Sequence, residues 1–291
     1  MDVKETLKEN TVYPLKYPQL FQEGSASQAV KGLLLFGPPG TGKTMLAKAV
    51  ATETGATFLN VDSASISSKW YGEAEKMARA VFTLARKLAP TIIFIDEIDS
   101  LLSARDDTER STIASVKTTL MREWDGLSTT ADRVLVIGAT NRPYTLDEAI
   151  LRRMPRRVMV DLPDKAERIS ILEVGLRGNR LAASLSLDTL AERLDSYSGS
   201  DVREVCREAA VSIANAKARE LEEMASRGEP LVGSRFALRP LKMADFEAAM
   251  KKIRPSIPKD SAMRKKVHEW NEQFGEGGNG KNNSGYESIY L

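Results

Sequence analysis

The stretch Lys31-Gly-Leu-Leu-Leu-Phe-Gly-Pro-Pro-Gly-Thr-Gly-Lys-Thr44 decides the fold. Its first half is a short apolar run with no polar alternation, the pattern of a strand buried on both faces of a parallel sheet. It runs straight into Gly37-Pro38-Pro39-Gly40-Thr41-Gly42-Lys43-Thr44, which fits G-x-x-x-x-G-K-[ST], and Met45–Glu53 reads as a helix. Strand, glycine loop and helix thus follow in the order a phosphate cradle requires. The glycines let the backbone curl until successive N–H groups face a bound phosphate, and the helix N-terminus adds a favourable dipole. Lys43 is expected to reach the β- and γ-phosphates and the Thr44 hydroxyl to ligate Mg2+, with Met45 closing the binding segment.

Downstream, Ile92-Ile93-Phe94-Ile95-Asp96-Glu97 is a second apolar strand that ends in two carboxylates. Parallel strands share a carboxyl edge, so Asp96 and Glu97 are expected beside the glycine loop. Asp96 would help hold Mg2+, and Glu97 would orient and deprotonate an attacking water. Val134–Ala139 is a third such strand, and the Thr140-Asn141 that follows puts a neutral amide at the same edge. Such an amide can hydrogen-bond a γ-phosphate or the water. Arg152-Arg153 and Arg156-Arg157 form a tight basic cluster. Phosphoryl transfer accumulates negative charge on equatorial oxygens, which arginine from a neighbouring subunit can stabilise. Together these residues imply Mg2+-dependent hydrolysis of ATP at its β–γ bond.

The remaining elements fit the same plan. Thr57–Val61 reads as a strand and Val158–Val160 as a fifth. Glu75–Leu88 reads as a helix whose apolar face carries Met77, Val81, Leu84 and Leu88 at three-to-four spacing, and a further helix covers Ser111 to Trp124. Alternating strands and helices predict an α/β domain, a parallel sheet with helices on both faces. After Pro163 the strand signals stop. Lys165–Leu176, Leu187–Leu194, Asp201–Glu223 and Met243–Ile253 read as helices of a small all-helical domain, with an N-cap at Ser200-Asp201. Ser261–Phe274 carries Met263, Val267, Trp270 and Phe274 on one helical face that should dock on something. The expected organisation is residues 1–163 as the large α/β unit, 164–257 as the helical unit, 258–274 as a C-terminal helix, and 275–291 as a glycine- and asparagine-rich disordered tail.

Composition narrows the chemistry. Of 291 residues, 42 are basic and 40 acidic, a net charge of +2 that gives no global field toward nucleic acid or acidic lipid. The single cysteine, Cys206, excludes an internal disulfide, and the single histidine, His268, lies far along the chain from the other candidate residues, which argues against a Ser-His-Asp triad or a histidine-rich metal site. No run approaches the length of a membrane span, and the N-terminus lacks a signal pattern.

Gly37–Thr44, Phe94-Ile-Asp-Glu-Ile-Asp-Ser-Leu101, Gly138-Ala-Thr-Asn-Arg-Pro143, Leu146-Asp-Glu-Ala-Ile-Leu-Arg-Arg-Met-Pro-Arg-Arg157 and Tyr197-Ser-Gly-Ser-Asp201, in this order, resemble the classical clade of AAA+ ATPases over residues 10–257. The resemblance implies a P-loop sheet followed by an AAA+ lid domain, and a homo-hexamer formed when ATP is bound between subunits. It implies Asn141 as sensor 1, Arg152 and Arg153 as arginine fingers acting in trans, and Gly199 and Ser200 near adenine and ribose. Lys69, Trp70 and Tyr71, which by chemistry alone read as core aromatics ahead of a helix, align with the first pore loop that grips an unfolded polypeptide. A second pore loop would fall at 103–111.

Within the clade, Lys69-Trp-Tyr-Gly-Glu-Ala-Glu-Lys76, Ile150–Arg157 and Ile171-Leu-Glu-Val-Gly-Leu-Arg-Gly-Asn-Arg-Leu181 look most like the thorase family, membrane-anchored extractases of mislocalised tail-anchored proteins on mitochondria and peroxisomes. Trp270–Gly278 is similar to the C-terminus of plant-type members. The resemblance thus implies a cytosol-facing ATPase at an organelle outer membrane that pulls a polypeptide through its pore and acts on no nucleic acid. The katanin, spastin and fidgetin group of microtubule-severing enzymes and the membrane-scission ATPases share most of the motifs. A nucleotide-gated scaffold is the alternative from another class, but it needs neither Glu97 nor gripping aromatics. Where such families carry an Asp-Ile-Gly-Gly-type segment that packs on adenine, this sequence starts Met1-Asp-Val-Lys-Glu5, so that segment and any membrane anchor are expected to be absent from it. After Arg105 it also lacks the Gly-Glu-His-Glu of thorase relatives.

Overall fold

The computed structural model describes residues 3–21, 31–62, 73–102, 111–128, 132–228, 236–258 and 260–276. Two compact units emerge from the chain's contacts. One comprises residues 1–38, 42–160 and 262–291, the other 39–41 and 161–261.

The first unit is built on five parallel strands: β1 (Gly32–Phe36), β2 (Thr57–Val61), β3 (Thr91–Ile95), β4 (Val134–Thr140) and β5 (Arg156–Met159), in spatial order β2-β3-β4-β1-β5. The three runs read as fully apolar become β1, β3 and β4, buried at every position. Successive side chains on a strand point to opposite faces, and the core divides accordingly. Leu34, Phe36, Ile93, Ile95 and Val136 enter one apolar cluster; Leu33, Leu35, Ile92, Phe94 and Ile137 enter the other.

Helices cover both faces. On the second cluster lie α1 (Val3–Leu7), a π-helical turn at Lys8–Val12, α2 (Tyr13–Lys16) and α3 (Lys43–Thr54). The N-terminal stretch buries Leu7, Val12 and Leu15 there, a contribution the sequence patterns had not marked. On the first cluster lie α4 (Glu73–Lys87), α5 (Ile98–Leu102), α6 (Ser111–Ser128) and α7 (Glu148–Arg153). Helix α4 corrects an expectation: it buries Ala74, Ala78, Phe82 and Ala85, while Met77, Leu84 and Leu88 are exposed. The two sets lie about 100° apart around the axis. The alanine side lets α4 lie close to its neighbours, and the large apolar side chains face outward.

The second unit is helical: α8 (Lys165–Gly175), α9 (Leu187–Arg193), α10 (Gly199–Ser226) and α11 (Met243–Lys252). Leu172, Leu176, Leu190, Leu194, Val202, Val205 and Phe246 form its core, with Cys206 buried among them. The N-cap of α10 is Ser198, not Ser200-Asp201. Its hydroxyl accepts from the Asp201 N–H while the Asp201 carboxylate accepts from the Ser198 N–H, a reciprocal capping box. Finally α12 (Ala262–Phe274) returns to the first unit. Val267 and Trp270 sink into the core there, and Trp270 meets the Phe36 ring edge-on at 4.7 Å. Among the described residues no helix is long and apolar enough to cross a membrane.

Candidate active site

Three strand ends bring the chemistry together. The Gly37 N–H donates to the Thr140 carbonyl at 3.3 Å, and β1 and β4 pair Phe36 with Thr140. The glycine loop and the Asn141 turn therefore leave the sheet side by side. Gly37 lies at φ 146, where a Cβ would come 2.1 Å from the Val160 carbonyl oxygen, so no larger residue fits. Gly40, at φ 73, belongs by its contacts to the second unit. Its carbonyl accepts from the Ser200 N–H at 3.1 Å, and a Cβ there would meet the Ser198 hydroxyl at 2.6 Å. Gly199 and Ser200 open α10 beside this crest of the loop. Gly42 then caps α3 in a left-handed conformation with no side-chain hydrogen bond to the first turn. The first N–H groups of α3 thus receive no partner from the cap side chain.

Lys43 is buried, and its ammonium donates to the Gly37 and Pro38 carbonyls at 3.0 and 2.8 Å. Burial lowers its pKa to about 8, against the attraction of Asp96 and Asp99. One residue on, the Thr44 hydroxyl donates to the Asp96 carboxylate at 3.1 Å, joining α3 to the end of β3. A hydroxyl and a carboxylate, both hard oxygen donors, fit a hard divalent cation. Met45 follows, exposed in the first turn of α3.

Glu97 is exposed at φ 47, one of two non-glycine residues with positive φ among those described. This backbone costs about 1–3 kcal/mol, and such outliers concentrate at functional sites. It is held from both sides: the Glu97 N–H donates to Asp96 at 3.0 Å, and the Ser100 N–H and hydroxyl both donate to the Glu97 carbonyl at 2.8 Å. The turn carrying Asn141 is fixed by residues the sequence reading missed. The Thr140 hydroxyl donates to Asp99 at 2.7 Å and accepts from the Arg142 N–H at 2.9 Å. A third acid in Asp96-Glu-Ile-Asp99, one helical turn from the first, was the available signal.

The paired arginines end in different places. Arg152 is 80% exposed and forms a 3.7 Å ion pair with Glu148 on its own helix. Arg153 turns inward: its guanidinium grips both oxygens of Asp125 at 2.8 and 2.6 Å and donates to the Ala149 carbonyl at 2.9 Å. Lys69, Trp70, Tyr71 and nearly all of the expected second pore loop lie outside the described residues. The second unit carries a groove of about 530 Å³ lined by Gly175, Asn179, Ser200, Arg203, Glu204 and Arg207, with Cys206 at its wall.

With this geometry in place, comparison with known proteins settles the family. The family model described as "ATPase family associated with various cellular activities (AAA)" matches residues 33–162, and the AAA+ lid domain matches 184–223. The outer mitochondrial transmembrane helix translocase of Danio rerio is 41% identical over 88% of this chain and 68% of its own length. This chain belongs to the AAA ATPase family. The AAA relatives also include a probable spastin homolog of Brugia malayi, 46% identical over 87% of the chain. The chain spans 55% of that relative's length, about half. Among solved structures, the FIGL-1 AAA domain in complex with ADP superposes with a TM-score of 0.79 at 38% identity, covering 94% of this chain and 87% of that one. A structure describing katanin self-assembly superposes at 0.74 and 39% identity, covering 92% and 86%. As an AAA domain with its lid, the chain is a nucleotide-binding ATPase.

Proposed function

We propose that this ATPase works as one subunit of a homo-hexameric protein translocase, each ATP being hydrolysed where two subunits meet. The observation that carries the reading is the arrangement at the end of β3. Thr44 and Asp96 present two oxygens 3.1 Å apart, and Glu97 stands next to them on a strained, doubly anchored backbone. The triphosphate would lie along residues 37–45, with Gly199 and Ser200 toward the nucleoside. Thr44 and Asp96 would hold Mg2+, which when bound supplies neutralisation of charge on the β- and γ-oxygens. Glu97 would take the proton of the attacking water, and Asn141 would hold that water or the γ-phosphate. Arg152, exposed and paired with Glu148 on its own helix, is the residue available to reach a neighbour's γ-phosphate, and Arg153 braces the helix that presents it.

The work done is the extraction of mislocalised tail-anchored proteins from an organelle outer membrane, mitochondrial or peroxisomal, with Lys69, Trp70 and Tyr71 gripping the polypeptide. The relative named as an outer mitochondrial transmembrane helix translocase supports this reading. Severing of the katanin and spastin type is the second reading, supported by the 46% identity to a probable spastin homolog. Stimulation of ATPase by a tail-anchored protein in liposomes but not by microtubules separates the two.

The trans assignment is tested by mixing. Arg152→Ala should bind ATP normally yet hydrolyse it about 10³–10⁵-fold more slowly. Mixed with Glu97→Gln, it should regain activity at interfaces where its intact Glu97 meets the other chain's Arg152. Normal turnover by Arg152→Ala alone would remove that arginine from the mechanism.

A further inference from the structure

Helix α7, which carries Arg152, is six residues long, too short to be stable unless other elements hold it. Its N-terminus is closed by Asp147, whose carboxylate accepts from the Ala149 N–H at 2.8 Å and pairs with the buried ammonium of Lys117 at 3.1 Å. Its C-terminus is closed from a different direction. The half-buried Arg157 folds its guanidinium back over the end of the helix, donating to the Leu151 carbonyl at 2.9 Å and the Met154 carbonyl at 3.1 Å. These are carbonyls at the helix end, where a planar cation suits both the lone pairs and the helix dipole.

Arg157 does not hold this position alone. Its guanidinium lies 5.9 Å from the centre of the Phe274 ring and donates at 3.5 Å to the Phe274 carbonyl, at the last turn of α12. Two further bonds fasten the same turn to β5. The Glu276 N–H donates to the Arg157 carbonyl at 2.9 Å, and the Glu276 carboxylate pairs with Arg156 at 2.6 Å. Phe274 packs tilted against Trp270 at 5.3 Å, and Trp270 is itself against Phe36, the last residue before the glycine loop. The second arginine pair is therefore a joint between the C-terminal helix and the helix that aims Arg152.

We infer that Arg157 is a positioning residue for hydrolysis in the neighbouring subunit, latched by the C-terminal end of α12 so that Arg152 projects at a fixed angle. This rests on the reading of Arg152 as a trans finger. A displacement of about 1 Å at a reacting group can cost 10²-fold in rate, so loss of the latch should appear in turnover rather than in nucleotide binding. Lysine is no substitute, because a compact ammonium lacks the rigid fork whose three nitrogens reach the Met154, Phe274 and Leu151 carbonyls at once.

The experiment measures three variants, Arg157→Ala, Arg157→Lys and Phe274→Ala, beside Arg152→Ala. Each is assayed for ATP-induced thermal stabilisation and for turnover, alone and mixed with Glu97→Gln. For Arg157→Ala the expected result is wild-type stabilisation by ATP, turnover reduced about 10- to 100-fold, and recovery on mixing, since the Glu97→Gln partner supplies a correctly aimed Arg152. Arg157→Lys should stay slow. Phe274→Ala, which removes no catalytic group, should show a smaller loss of the same kind, and it carries the test if Arg157→Ala fails to fold. Wild-type turnover in Arg157→Ala, or in Phe274→Ala where that variant carries the test, would overturn the latch. So would a loss that mixing does not repair while Arg152→Ala is repaired in the same assay. If Arg152→Ala is not repaired either, the trans reading itself fails and the latch falls with it.

Discussion

The N-terminus of α3, in the α/β unit, is built in the opposite way to those of the first three helices of the helical unit. In the helical unit each of the first three helices closes its own end: Asp164 and Glu167 form a reciprocal box on α8, Ser186 caps α9, and Ser198 with Asp201 boxes α10. In the α/β unit, α3 begins at Gly42 with no capping side chain. Glycine in place of a side-chain cap costs only about a few tenths of a kcal/mol of local stability. At α3 that omission leaves N–H groups and a helix dipole for an anion, and it falls in a loop whose glycines hold positive φ at Gly37, Gly40 and Gly42. Closed ends hold a fold together, whereas an open end between two strand ends is available to a ligand.

The largest expected effect comes from emptying the open end. Lys43→Ala should abolish the stabilisation ATP confers on the wild type, about 2.7 kcal/mol at a hundred times Kd, read as the loss of the ATP-induced Tm shift. A shift of wild-type size in that variant would break the comparison, because the loop would then bind without its lysine.

A second effect is graded with pH. In the free protein burial lowers the Lys43 pKa to about 8. A bound triphosphate favours the ammonium form, so binding above that pH takes up a proton. ATP affinity should therefore be flat below pH 8 and fall as pH rises beyond it, by up to about tenfold per unit. Calorimetric titration across this range, in buffers of different ionisation heat, reads both the affinity and the proton uptake. An affinity that stays constant well above the Lys43 pKa would contradict the assignment.

The smallest effect sharpens the other half of the comparison. Asp164→Ala should lower stability by about 1 kcal/mol in a denaturant melt and leave ATP affinity and turnover unchanged. A change in nucleotide affinity in that variant would mean that closed caps also serve the ligand.

Much of this division can be read from sequence because it follows local rules. The unbroken apolar runs of β1, β3 and β4 are too short for helices and read as buried strands, and the G-x-x-x-x-G-K-T spacing leaves α3 without a capping side chain. What escaped was set by packing. On α4 the largest apolar residues gave the period, yet Ala74, Ala78 and Ala85, weak on any hydrophobicity scale, form the buried side with Phe82 because small residues allow close approach. The cap of α10 was misplaced by two residues because Ser-Gly-Ser-Asp offers two hydroxyls and one acid, and only the S-x-x-D spacing selects Ser198. At the site, Glu97 and Asn141 were placed by being next to strand ends. The different orientations of Arg152 and Arg153 depend on Asp125, on another helix, and the joint at Arg157 depends on α12, far along the chain. Neither leaves a local trace.

The central claim is that the open glycine loop and the carboxylates at the end of β3 form one hydrolytic site, with Glu97 as its base. The direct test is ATP binding and turnover measured side by side in Glu97→Gln. The account predicts an undiminished ATP-induced Tm shift with turnover slowed at least about 100-fold, the lower end of what a positioned general base contributes. Turnover near that of the wild type would contradict it.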